Sequence, residues 1–218
     1  MTELIRQRFA LPTGVELDVT LGGPPQAPAI IFLHGFPESA RTWRHQLADL
    51  SRDFRVVAPD QRGFARSSKP KGPEHYTHDK PVADLFALAD ALGIERFTLV
   101  GHDWGGAIAW AAALGNPARV ERLAIVNAPH PYVFQKAMFD DPGQRAASQY
   151  IRAFRVPGME NHITGNLDHF FDKTFAEHFG LRATAEEKAA YLDEWSQPGA
   201  MRAMLGWYRS AGVIVPAV

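Results

Sequence analysis

A carboxylate stands in the part of this sequence that is best suited to chemistry. Asp103 lies between Gly101-His102 and Trp104-Gly105-Gly106, after an apolar run and before an alanine-rich helical pattern. Glycines on both sides let the chain turn sharply from a strand into a helix, and such a turn holds the central side chain up at the edge of a sheet. The pattern therefore predicts a nucleophile elbow with Asp103 as the nucleophile. A helix N-cap is a compatible structural role, because a helix N-terminus favours an ionised carboxylate.

The elements around this turn alternate between strand and helix. Two segments of alternating polarity near the N-terminus predict a hairpin, and further strands and helices follow in turn. The expected strands are 4–11, 15–21, 29–33, 54–59, 96–100 and 120–127, and the expected helices are 41–50, 81–92 and 104–114. This order is typical of an α/β fold, in which helices cover both faces of an open, mostly parallel sheet. We predict such a core over residues 1–130.

The pattern changes after Pro131. From there to Ser210 the sequence is helical in character and shows no convincing strand. Such a segment is too long to connect neighbouring elements of a compact core, so we predict an inserted helical cap over residues 131–212. The apolar residues that follow predict the start of a returning core strand over 213–218.

The composition excludes several classes of protein. The chain has no cysteine, which rules out disulfides, thiolate metal sites and a cysteine nucleophile. Lys and Arg (23) balance Asp and Glu (24), and no basic run favours nucleic acid. No apolar run approaches ~20 residues, so we expect no membrane span, and without a signal-type segment we expect a cytoplasmic protein. No cluster with metal-ligand spacing occurs, and we expect neither a metal nor an organic cofactor.

The chain resembles the epoxide hydrolase and haloalkane dehalogenase branch of the α/β-hydrolase family. The resemblance is carried by His34-Gly35-Phe36-Pro37-Glu38-Ser39, by Gln61-Arg62-Gly63 with Ser67-Ser68-Lys69-Pro70, and by the elbow. It implies that Asp103 attacks a saturated carbon and forms an alkyl ester, which water then cleaves. It also implies that the backbone N–H groups of Phe36 and Trp104 stabilise the oxyanion of that second step. Substrate-pocket positions implied in this way are His34, Pro37, Phe154 and Trp207.

Two tyrosines favour an epoxide as the substrate. Opening an epoxide generates an alkoxide that needs a proton donor, and a phenol with a pKa of ~10 stays protonated at neutral pH. Tyr150, in the stretch Tyr150–Gly158, and Tyr208, in Gly206-Trp207-Tyr208-Arg209, resemble the two cap tyrosines that serve this purpose in epoxide hydrolases. We therefore expect a small apolar epoxide and water as the reactants, and a vicinal diol as the product.

Dehalogenases are the alternative enzymes. Haloalkane dehalogenases share a tryptophan after the nucleophile but add a second tryptophan or an asparagine, and Phe36 stands at that loop position. Haloacetate dehalogenases carry arginine just after the nucleophile, and residues 104–107 contain none. A serine-type esterase is excluded, because Asp103 cannot replace serine without changing the chemistry.

The base expected for ester hydrolysis is not evident. The resemblance places a histidine and its orienting acid beyond the cap, and the sequence reaches Val218 first. None of the nine histidines is an obvious substitute: His34 is expected to brace its loop and His102 to point away from Asp103. We therefore expect a fragment or a truncated chain whose base and acid lie outside it. A non-catalytic binder of hydrophobic ligands, or an inactive fragment, remains a rival, and a homodimer is left open.

Overall fold

A six-stranded sheet forms the core of the computed structural model, which describes residues 3–178 and 183–218. The strand order is β1-β2-β4-β3-β5-β6. The strands are β1 (Ile5–Ala10), β2 (Glu16–Gly22), β3 (Ala29–Leu33), β4 (Arg55–Pro59), β5 (Phe97–His102) and β6 (Val120–Val126). The first two form the expected hairpin, and β2 is antiparallel to β4. The other pairs are parallel, which confirms the predicted α/β class and its mostly parallel sheet.

The centre of the sheet is buried on both faces. All five residues of β3 are buried, and they alternate between two apolar clusters. Ile31 and Leu33 face one cluster, whereas Ile30 and Phe32 face the other. A short, fully apolar strand is typical of a parallel sheet covered by helices on both sides.

The strand order reverses beside β3. From β3 the chain moves to β4 on one side and then returns to β5 on the other, with Leu33 paired to Gly101. In open α/β sheets the loops at the carboxyl ends of two such strands diverge and leave a crevice between them. The predicted oxyanion loop, residues 34–39, follows β3, and Asp103 follows β5, so both lie at this crevice.

Helices of the first half match the predicted positions closely. A 3₁₀ turn (Ala40–Trp43) leads into α1 (Arg44–Leu50), and a second such turn (Pro73–Tyr76) precedes α2 (Asp79–Ala91). The elbow opens α3 (Trp104–Gly115). Small residues on α3 are buried against the sheet, which permits the close approach that the elbow requires.

The predicted cap segment, residues 131–212, is mainly helical and contains no strand among its described residues. Its helices are α4 (Pro131–Asp140), α5 (Pro142–Ala147), α6 (Gln149–Arg155), α7 (Met159–Thr164), α8 (Leu167–Phe171), a π-helical turn (Asp172–His178), α9 (Ala185–Ser196) and α10 (Ala200–Ser210). Most of α10 is buried, and Trp207 donates a hydrogen bond from its indole nitrogen to the carbonyl of Arg62 in the core. The division of the chain into core and cap stays a prediction.

One predicted element is not formed. Residues 211–218 contain no strand, so the expected start of a core strand over 213–218 is wrong for this structure. Side chains of the cap segment take up the backbone groups that a sheet would use. Gln135 bonds both the N–H and the carbonyl of Ile214, and Arg155 donates to the carbonyl of Val213.

Candidate active site

Asp103 sits at a strained turn between β5 and α3. Its φ of 51° and ψ of −119° lie in a region that side chains rarely adopt, at a cost of about 1–3 kcal/mol. The flanking glycines are required by packing: a Cβ on Gly105 would lie 2.2 Å from the carbonyl oxygen of Leu33, and one on Gly106 would lie 2.4 Å from Cβ of Ala128. The predicted elbow is therefore present, and its close contacts hold the carboxylate in place.

Both predicted oxyanion donors point at this carboxylate. The N–H of Phe36 donates to Oδ1 of Asp103 over 2.8 Å, and the N–H of Trp104 also hydrogen-bonds the carboxylate. Gly35 makes the approach possible, since a Cβ there would lie 2.6 Å from Oδ1. A carboxyl group held by two backbone donors is suited to carry the negative charge of a tetrahedral intermediate.

The charge state of Asp103 is set by opposing effects. Burial raises the pKa of Asp103, whereas the N–H groups of Phe36 and Trp104 and the charge of His102 lower it. The net direction is upward. A carboxylate that is poorly solvated but still hydrogen-bonded is a better nucleophile than one surrounded by water.

His34 braces the oxyanion loop from inside. Its Nδ1 lies 2.9 Å from the carbonyl oxygen of Gly35, and its Nε2 accepts the N–H of Gln61 over 3.0 Å. The ring is fully buried, and this burial lowers the pKa of His34. Because Nε2 accepts an N–H and Nδ1 donates to a carbonyl, the ring carries one proton and is neutral. The two bonds let it support the loop. The predicted bracing role fits this geometry better than the predicted pocket position.

Aromatic side chains from the cap segment converge on the same point. The ring of Tyr208 lies 5.1 Å from Phe36, 5.1 Å from Trp104 and 5.0 Å from Phe154, measured between centroids. The ring of Tyr150 lies 6.1 Å from Tyr208. The structure thus brings together five residues that the sequence singled out, from four separate stretches of the chain.

Both tyrosines hold their protons more firmly than a free phenol. Burial raises the pKa of Tyr150 to about 12, and the charge of Asp103 adds to this effect. Burial and Asp103 also raise the pKa of Tyr208 well above its usual value, against a side-chain hydrogen bond with Trp104. Tyr208 is 3% exposed and Tyr150 is 45% exposed. Tyr208 packs on Phe36 and Trp104, the two residues whose N–H groups bind Asp103, and Tyr150 packs on Tyr208.

The two other predicted pocket residues are buried. Pro37 accepts a hydrogen bond at its carbonyl from the indole of Trp195. Trp207 packs between Trp104 and Phe64, with centroid distances of 5.8 and 5.5 Å. Pro37 and Trp207 therefore support the residues around Asp103 from behind.

The sequence reasoning missed a charged pair beside the nucleophile. Nδ1 of His102 lies 2.8 Å from Oε2 of Glu38, and Thr42 donates its hydroxyl hydrogen to the same carboxylate. This contact directs His102 toward an acid of the oxyanion loop, and its expected orientation away from Asp103 stays a prediction. The signal that could have revealed the pair is the adjacency of the loops after β3 and β5.

The described residues contain neither a cluster of metal ligands nor a membrane-spanning helix. No group of three or more His, Cys, Asp or Glu side chains within residues 3–178 and 183–218 could hold a metal ion. Across the same residues, no helix has both the length and the apolar character needed to cross a membrane.

Comparison with known proteins gives consistent matches. Residues 28–186 match the model of the alpha/beta hydrolase fold family. The chain is 36% identical over 212 residues to the AB hydrolase superfamily protein YfhM of Bacillus subtilis (strain 168), covering 94% of this chain and 73% of that protein. It is 34% identical over 211 residues to epoxide hydrolase 4 of Mus musculus, covering 94% of this chain and 59% of that protein.

A solved structure is similar over almost the whole chain. It is described as one of the novel epoxide hydrolases of the alpha/beta hydrolases superfamily in metagenomes from hot environments. The TM-score is 0.91 with 49% sequence identity, and the match covers 98% of this chain and 72% of that chain. The chain thus spans 59% to 73% of the length of these relatives.

Proposed function

This chain belongs to the epoxide hydrolase branch of the alpha/beta hydrolase fold family, and on that premise we propose that Asp103 opens an apolar epoxide through a covalent ester. The observation that carries the proposal is the convergence on Asp103 of two backbone donors and two tyrosines. The N–H of Phe36 donates to Asp103 over 2.8 Å, the ring of Tyr208 packs against Phe36 and Trp104, and the ring of Tyr150 lies 6.1 Å from that of Tyr208. The chain is thus a hydrolase of the epoxide hydrolase type.

Ring opening uses the carboxylate and the phenols. An oxygen of Asp103 attacks one epoxide carbon, the bond from that carbon to the ring oxygen breaks, and an ester forms. The ring oxygen leaves as an alkoxide and takes a proton from Tyr150 or Tyr208. Because the raised pKa values keep both phenols protonated, each is a competent donor throughout the neutral range.

Ester cleavage uses the two backbone donors. Water attacks the carbonyl carbon of the Asp103 ester, and the negative charge develops on the oxygen that Phe36 and Trp104 hydrogen-bond. The bond to the alkyl oxygen then breaks, which releases a vicinal diol and regenerates the carboxylate. The proton of the attacking water needs a base, and the family resemblance places that base beyond the cap segment.

We propose that residues 131–212 act as the cap over this chemistry. They contribute Phe154 and Tyr208, whose rings pack against Phe36 or Trp104 of the core, and Tyr150, whose ring packs against Phe154 and Tyr208. The lining is aromatic, which favours an apolar epoxide over a charged one.

A dehalogenase fits this site less well. A halide site would need a second donor at the loop position where Phe36 stands, and residues 104–107 contain no arginine to bind a substrate carboxylate. The alternative is tested in the same experiment as the epoxide.

Trapping of the ester is the direct test. The chain is incubated with styrene oxide, and in parallel with 1-chlorobutane and fluoroacetate, followed by mass spectrometry of its peptides. We expect one epoxide mass added on the peptide that contains Asp103, no adduct in Asp103→Asn, and little halide release. Diol release would show that the second step also proceeds. Fast halide release without adduct or diol from the epoxide would overturn the proposal.

A further inference from the structure

A buried hydrogen bond ties the cap segment to the oxyanion loop. The indole N–H of Trp195, on α9, donates to the carbonyl oxygen of Pro37 over 2.7 Å. Trp195 is 2% exposed, and the two residues are 158 positions apart in the chain. If this hydrogen bond is broken, the carbonyl of Pro37 is left buried without a donor, which is unfavourable.

The carbonyl that Trp195 binds belongs to the peptide unit that closes the loop. On its other side, that peptide unit donates the N–H of Glu38 to the carbonyl of Gly35 over 3.1 Å. The turn so closed contains Phe36, whose N–H donates to Asp103. One peptide unit is therefore held from both sides, and the oxyanion donor lies within the turn that it closes.

The ring of Trp195 is itself fixed. It lies 5.2 Å from Phe170, 5.8 Å from Phe171 and 6.1 Å from Phe175, to which it is parallel within 9°. Phe170 also contacts the ring of Phe36 at 6.2 Å. The indole can thus hold the Pro37 carbonyl in one position, and the same aromatic group contacts the neighbouring residue of the loop.

We propose that Trp195 is a positioning residue for the oxyanion loop, which makes the aim of the Phe36 N–H at Asp103 depend on the cap segment. The proposal rests on the proposed function for its catalytic meaning. The core also supports the loop: His34 accepts the N–H of Gln61, and Asp60 accepts the N–H of Ala40 over 2.8 Å. From the cap segment, Glu194 hydrogen-bonds Ser39 and Phe170 packs against Phe36. Among these cap contacts, the bond from Trp195 is the one made to the backbone of the turn that contains Phe36.

Amide exchange tests the geometry without any reaction. We would label phenylalanine with ¹⁵N and measure hydrogen exchange of the Phe36 amide in the wild-type chain, in Trp195→Phe and in Trp43→Phe. Trp195→Phe removes the N–H donor and reduces the indole to a single buried ring, a loss of volume that Trp43→Phe shares. Trp43→Phe is the matched control, because the indole nitrogen of Trp43 is buried and has no hydrogen-bond partner among the described residues. We expect exchange at Phe36 to rise about tenfold in the first variant only.

The reaction supplies the second measurement. Because the Phe36 N–H lowers the pKa of Asp103, loosening the loop should move the acid limb of the alkylation rate with styrene oxide to higher pH. A purely structural role for Trp195 would lower stability without moving this limb.

The outcomes separate this proposal from the proposed function. Unchanged exchange at Phe36 in a folded Trp195→Phe variant overturns the positioning role. A wild-type chain that forms no adduct would instead contradict the function, and the exchange result would still decide the positioning role. If Trp195→Phe does not fold, β-(3-benzothienyl)alanine incorporated at position 195 keeps both fused rings and replaces only the N–H by sulfur. Wild-type exchange at Phe36 in that protein would overturn the positioning role.

Discussion

Nδ1 of His102 lies 2.8 Å from Oε2 of Glu38, so the residue before the nucleophile is tied to the oxyanion loop by an ion pair. Burial works against charge on both partners. The hydrogen bond and the mutual attraction outweigh it, and the pKa of His102 is raised while that of Glu38 is lowered. The loop and the elbow are therefore joined twice, once by this pair and once by the Phe36 N–H on Asp103.

Glu38→Gln should destabilise the fold in a pH-dependent way. The raised pKa of His102 adds stability that is complete below 6.5 and is lost as pH rises through the folded value. The lowered pKa of Glu38 adds stability above 4.5 that is lost as pH falls. We expect a loss of about 1–3 kcal/mol near pH 5.5 and less near pH 9, by urea unfolding. Glu74→Gln, in an exposed pair with His75, is the control. A loss of equal size at both pH values would contradict the ion pair.

Tyr150→Phe and Tyr208→Phe should each slow ring opening. Losing one donor to a developing oxyanion costs on the order of 10²-fold in rate, and the double variant should be nearly inactive. The rate of adduct formation on Asp103, measured by mass spectrometry, gives the result. Tyr132→Phe is a matched control, because Tyr132 is largely exposed. Wild-type rates in both single variants would show that these rings only pack.

Local patterns in the sequence were enough to predict the elbow and most of the sheet. Apolar runs and glycine turns are short-range features, so the strands and Asp103 could be placed without knowing their neighbours. The Phe36 and Trp104 donors followed from the family resemblance. The Glu38 and His102 pair could not be predicted in the same way, because its partners are 64 residues apart and side-chain directions are fixed only by the assembled loops.

At the C-terminus, a local pattern predicts a strand that the structure does not form. Residues 213–218 are apolar enough to predict a strand, but a strand forms only where a neighbour offers backbone partners. In the structure Gln135 and Arg155 supply those partners from the cap segment. The pattern shows that the segment is apolar, yet within residues 213–218 only Val215 is buried, whereas Ile214 and Val218 are 60% and 80% exposed.

Gly35→Ala should disable the nucleophile. A Cβ at this position would lie 2.4 Å from Cβ of Asp103, a distance that forces the loop or the carboxylate to move. We expect adduct formation to fall at least ~10²-fold, as for loss of an oxyanion donor, with a destabilisation of about 1–3 kcal/mol. Gly115→Ala is the control, because nothing lies within 4 Å of a Cβ there. An adduct rate close to wild type would refute the tight contact.

Glu194→Gln should stabilise the protein at alkaline pH. Glu194 is 6% exposed. Burial and the charge of Asp60 raise its pKa to about 7, against a hydrogen bond from Ser39 and the charges of Arg41 and Arg6. A folded pKa above the unfolded value of 4.5 means that stability falls as pH rises between the two.

The expected gain for Glu194→Gln near pH 8 is on the order of 3 kcal/mol at most, and it should vanish near pH 4. Unfolding free energies at the two pH values give the answer. A loss of stability near pH 8 would mean that the ion pair with Arg41, at 3.6 Å, outweighs the cost of burying the charge.

The contact between α9 and the core combines ion pairs with one buried hydrogen bond. Glu187, Asp193 and Glu194 on α9 meet core arginines, and the pairs are Arg44 with Glu187, Arg66 with Asp193 and Arg41 with Glu194. The first two pairs are partly exposed, are each worth about 0–1 kcal/mol and are screened beyond about 10 Å at 0.1 M salt, whereas Glu194 of the third pair is buried. The bond from Trp195 to Pro37 is buried and is not screened. Higher ionic strength should therefore weaken the ion pairs between α9 and the core. The orientation of the Phe36 N–H toward Asp103 should not change with salt unless α9 separates from the core.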